Sequence, residues 1–91
     1  MNSDFKLREY IAKVKWKKTN HSMPHEYTCS DWKPQYREEF EQFVGLIRRD
    51  GYTKVYGGRP YICYDIDGYY YWTMGDPMRE TIIINRAVIY A

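Results

Sequence analysis

The chain lacks long apolar runs, has few cysteines and is nearly neutral, and each shortage closes off a class of protein. Its longest uninterrupted aliphatic stretch is Ile82–Ile84. A membrane span needs roughly 20 apolar residues, so no membrane partner is expected. The opening residues, Met1 to Lys6, hold no basic stretch leading into an apolar segment. That predicts a protein without a secretory leader, working in the cytoplasm. Two cysteines, Cys29 and Cys63, are too few to staple a secreted miniprotein. They are expected as buried thiols in a reducing compartment, with a single disulfide between them as the alternative. A net charge of +2 is too small to mark a nucleic-acid binder by itself.

Familiar catalytic signatures are also missing. Gly57-Gly58 leads into a strand pattern, so it offers no helix N-terminus to a phosphate. No nucleophile elbow, HExxH or calcium loop occurs, and no motif asks for a cofactor.

Aromatic residues are what the chain has in excess. Eleven tyrosines, three tryptophans and three phenylalanines in 91 residues exceed what one small core readily buries. The length fixes a single domain over residues 1–91.

Periodicity predicts a first helix over Asp4 to Trp16, with Leu7, Tyr10, Ile11 and Val14 on one stripe and Ser3 as N-cap. Turn formers and Pro24 make the next stretch a loop, with a weak strand signal at Glu26 to Cys29. A second helix is predicted from Pro34 to Arg49, its apolar face built from Tyr36, Phe40, Phe43, Val44 and Ile47. Gly51 is expected to close it in the left-handed conformation.

Beyond Gly51 the pattern turns to β, in four runs: Tyr52 to Tyr56, Tyr61 to Ile66, Tyr69 to Thr73 and Thr81 to Asn85. Asp67-Gly68 suits a two-residue hairpin turn, and Met74 to Pro77 is expected to break the sheet. The fold class is therefore α+β, with two helices packed on one face of a three- to four-stranded antiparallel β-meander.

The hairpin around Asp67-Gly68 is apolar on both faces. Ile62, Tyr64, Ile66, Tyr69 and Tyr71 alternate with Tyr61, Cys63, Tyr70 and Trp72. Helices cover one face, which leaves the other to present aromatic side chains to a partner. Tyr61, Tyr70 and Trp72 would stack on bases, while Lys15, Trp16, Arg59 and Arg86 would complete a site for a nucleotide or nucleic acid. That is the leading expectation. Because the same residue types dominate protein–protein contacts, an inhibitor that binds a host protein through this face is the runner-up, and pairing of two copies as a homodimer or higher oligomer would hide the same patch. The plain alternative is that the tyrosines cover the sheet and keep their hydroxyls in water.

Residues Met23 to Thr28 form the most site-like loop. His25 titrates near neutrality and would act as general acid or base in a metal-independent phosphodiesterase, with Tyr27 and Arg86 steadying the phosphate. The bland reading is a turn set by Pro24, with Tyr27 packed on the second helix. His21, His25, Cys29 and Cys63 are a zinc set by element only; no C-x₂-C knuckle is present, so no metal is expected.

Several spaced motifs resemble a group of small uncharacterised phage and prophage proteins. They are Pro24-His25-Glu26-Tyr27-Thr28, Ile47-Arg48 with Gly51, Asp67-Gly68-Tyr69-Tyr70-Tyr71-Trp72-Thr73-Met74-Gly75, and Thr81-Ile82-Ile83-Ile84-Asn85-Arg86-Ala87. The resemblance runs from Trp16 onward and carries no established activity. It implies a context: an accessory, counter-defence protein that binds a host defence protein or removes a nucleotide signal.

Overall fold

The computed structural model describes residues 6–18, 27–31, 36–76 and 81–89, with residues 27–31, 56 and 76 described by their backbone. Among these residues two helices, α1 (Leu7–Lys13) and α2 (Arg37–Asp50), accompany six strands. The strands are β1 (Lys17–Lys18), β2 (Tyr27–Asp31), β3 (Tyr52–Tyr56), β4 (Arg59–Ile66), β5 (Tyr69–Asp76) and β6 (Thr81–Val88). They form one antiparallel sheet in the order β1-β2-β6-β5-β4-β3.

The α+β class and the antiparallel meander are as expected, with β3 to β6 running side by side in chain order. Two glycine-bearing turns make that meander. Gly57 and Gly58 at φ 54° and 78°, and Asp67 and Gly68 at φ 51° and 87°, adopt the two-residue conformation that matches the strand twist. The weak signal near Cys29 is also a strand. β2 docks antiparallel on β6, with Cys29 opposite Asn85 and Thr28 opposite Arg86.

Both helices lie on one face. Tyr10 of α1, Val14 just after it, and Phe40, Phe43, Val44 and Ile47 of α2 are buried against Ile66, Tyr71 and Ile84 of the sheet. Aromatic edges fill this core: Tyr10 and Phe43 rings meet at 6.1 Å, and Phe43 and Tyr71 at 5.3 Å.

Three local expectations are corrected. The first helix ends at Lys13, because Val14 is already extended and Trp16 turns back to donate its indole N–H to the Ile11 carbonyl at 3.2 Å. Met74 to Asp76 continue β5 rather than break it, since Met74, Gly75 and Asp76 pair with Ile83, Ile82 and Thr81. Gly51 is extended, at φ −76°, ψ 169°. It is glycine for space: a Cβ there would lie 2.6 Å from Ile62 Cγ2 and 2.7 Å from the Cys63 carbonyl, and would collide with the Ile47 carbonyl. Ser3 and Pro34 lie outside the described residues.

Candidate functional site

Strand alternation splits the expected ligand set between two faces. Arg86 and Trp16 sit together on the helix side. The Arg86 guanidinium lies 4.5 Å from the Trp16 ring and 4.1 Å from the Tyr69 ring, and donates to the Tyr71 hydroxyl at 3.3 Å. That is a cation held between two aromatic faces, where it ties the segment after α1 to the sheet. Burial raises the Tyr71 phenol pKa, and the Arg86 hydrogen bond opposes that rise.

Tyr61, Tyr70 and Trp72 lie on the opposite face. Tyr70 and Trp72 are only 3% and 4% exposed, and the buried Cys63 and Ala87 pack with them. The open aromatic platform is therefore absent: these rings stack on each other at 5.6 Å inside the fold. Asn85 is buried on the same face, and its Nδ2 has no hydrogen-bond partner among the described residues.

The remaining candidates scatter. Lys15 is exposed ahead of β1 at one edge of the sheet, whereas Arg59 is exposed in β4 near the other. Tyr27 is placed in β2 opposite Ala87, one residue from the Arg86 register, and His25 and His21 lie outside the described residues. Among the described residues no cluster of His, Cys, Asp or Glu could hold a metal.

The topology also answers the cysteine question. Cys29 in β2 and Cys63 in β4 are separated by β6 and β5. Three strand spacings put their Cα atoms roughly 14 Å apart, too far for a disulfide or a shared metal. Burial raises the Cys63 thiol pKa, with nearby Asp65 adding to the rise and Lys54 opposing it, so it is a poor nucleophile.

Two surface features were not legible as sites in the sequence. One is a groove of about 450 Å³ between α2 and the start of β6, with Phe40, Val44 and Ile82 in its lining and Arg37 and Arg48 among its polar residues. Gly45 opens this groove, and a Cβ there would meet nothing within 4 Å. Arg37 is engaged by Glu41 at 3.2 Å, and Arg48 lies three helical turns away, so the two cations do not converge.

The other is the β3 edge. Val55 is 67% exposed, Ile62 beside it 46%, and Tyr52 43%. Tyr52 donates its hydroxyl to Asp65 at 2.6 Å, and burial together with this bond raises its pKa. Lys54 lays its ammonium over the Tyr70 ring at 4.8 Å. Three of the five exposed large hydrophobic side chains among the described residues lie here, Val55 and Ile62 on the helix side and Tyr52 on the other.

No helix is long and apolar enough to cross a membrane among the described residues. No family model matches the chain, and neither a curated protein nor a solved structure is significantly similar to it.

Proposed function

We propose that this chain is a non-enzymatic binding protein that engages a protein partner along its β3 edge. Accessory proteins of phages and mobile elements are the class its motifs resemble, and a host defence protein is the partner that context suggests. The observation that carries the reading is the contrast in access. Val55, Ile62 and Tyr52 are exposed around a strand whose outer side has no partner among the described residues, while the rings suited to stacking on bases are inside. A sheet edge with apolar side chains beside it is a template for another chain's strand. The nucleotide reading loses its platform with Tyr70 and Trp72 buried.

The test compares the protein with a Val55→Lys, Ile62→Lys double variant, both immobilised and exposed to bacterial lysate. Both positions are exposed, so the fold is expected to tolerate the change. The expected result is a protein retained by the wild type at low and high salt, untouched by nuclease, and absent from the variant. Retention of the same protein by both, or of material that nuclease removes or that salt releases steeply, would overturn the reading.

A further inference from the structure

We propose that the groove between α2 and the start of β6 is a second binding site. It takes a medium-chain carboxylic acid, with the alkyl chain along α2 and the carboxylate at Arg48. This goes beyond the protein-binding reading and uses a different surface, since β5 and β4 separate β6 from β3.

Two glycines beside the groove have no task in the fold. Gly45 stands in the interior of α2 and Gly75 within β5. Glycine weakens helix and strand interiors alike, because it loses the most backbone freedom on folding and offers no side chain to pack. A positive φ or a lack of room usually explains its use. Neither applies here: neither glycine has a positive φ, and an added Cβ at either would meet nothing within 4 Å. Gly75 pairs with Ile82, so the two share the helix side of the sheet. Ile82 and Gly45 both line the groove. Two side chains are thus missing around one space, which leaves room for an occupant close to the backbone.

Size and lining narrow the occupant. A volume of about 450 Å³ is that of a small-molecule site. Phe40, Val44 and Ile82 make its apolar part. Phe40 and Arg48 both line it and lie about 12 Å apart along the helix axis, which suits an extended chain.

Charge fixes the orientation. Arg48 is exposed and has no ion-pair partner among the described residues. At the other end Arg37 and Glu41 face each other at 3.2 Å, so their charges offset locally. A carboxylate placed there would meet Glu41, whereas at Arg48 it meets a guanidinium with two parallel N–H donors to offer. One unmatched positive charge at one end of an apolar strip calls for one acid group on one chain.

The experiment is a ¹⁵N NMR titration with decanoate and decylammonium, which share a chain and carry opposite head charges. Wild type, Arg48→Glu and Gly45→Leu proteins are compared. Decanoate should shift the amides of Val44, Gly45, Arg48 and Ile82, and bind wild type about fivefold tighter than decylammonium. Arg48→Glu should reverse that preference. Gly45→Leu puts a strong helix former where there is room for it. Its urea midpoint should match or exceed wild type while its decanoate shifts disappear. The Val55→Lys, Ile62→Lys variant should take decanoate as wild type does, which separates this site from the β3 edge.

A preference that Arg48→Glu leaves unchanged overturns the acid. Undiminished binding to a folded Gly45→Leu protein, or no shifts from decanoate at millimolar concentration, overturns the site. Shifts confined to β3 and β4, or lost in the β3-edge variant, place the ligand at that edge and overturn it as well.

Discussion

The sheet has two edges, and the chain treats them differently. At one, the described residues of β1 are Lys17 and Lys18, both exposed. Lysine at an edge is one of the usual devices that stop one sheet from adding to another. At the other, β3 runs five residues and carries tyrosine, threonine and valine, with its lysine turned over an aromatic ring. β3 has no proline, and among the described residues no element covers its outer side. An edge guarded on one side and open on the other is a surface with a direction. It makes the open side the place to look for function.

The largest expected effect comes from breaking the support of the open edge. Gly51 links α2 to β3, and a Cβ there meets Ile62 Cγ2 at 2.6 Å and the carbonyls of Ile47 and Cys63. Gly51→Ala forces backbone to move and should cost about 3 kcal/mol, read as a lower urea midpoint. Hydrogen exchange should rise in β3 and β4 more than in β1 and β2. Equal loosening at both edges would show that the open edge has no separate support.

A smaller effect sharpens how β3 is held. Tyr52 bonds Asp65 at 2.6 Å and its phenol pKa is raised in the fold by burial first and by that bond second. A raised phenol pKa means the contribution is complete below about pH 10, where the unfolded tyrosine is protonated, and is lost as pH climbs toward the folded value. With Tyr52 43% exposed, solvent screening limits that contribution to about 0.5–1 kcal/mol. Tyr52→Phe should therefore be less stable than wild type by that amount at pH 8. The two urea curves should converge above pH 10; a constant gap through pH 11 would remove the bond from the account.

Much of this frame was legible from local pattern. The Asp67-Gly68 turn, the run Tyr52–Tyr56 and the apolar face of α2 each carry their structure within a few residues. What was not legible depends on pairing between distant segments. β2 joins the sheet by docking on β6 at the far end of the chain, and Met74 to Asp76 stay in β5 because Thr81 to Ile83 complete their ladder. The same limit applied to the site. Alternation showed which aromatics share a face, but not that Tyr70 and Trp72 are buried, nor that Trp16 and Arg86 are spent on each other. An edge is a property of strand order, and no window of sequence contains it.

The smallest effect in the monomer is the sharpest test of the contrast itself. If lysine guards β1, then Lys17→Val with Lys18→Thr should leave the folded monomer nearly unchanged, within about 0.5 kcal/mol, because both side chains are exposed. What changes is the penalty against pairing. The new side chains favour strand pairing and no longer bring like charges together at a contact. Sedimentation velocity across a concentration series should then show self-association that wild type lacks, suppressed by restoring either lysine. If the variant stays monomeric, the lysines are not what protects β1, and the openness of β3 does not rest on the chemistry of its side chains.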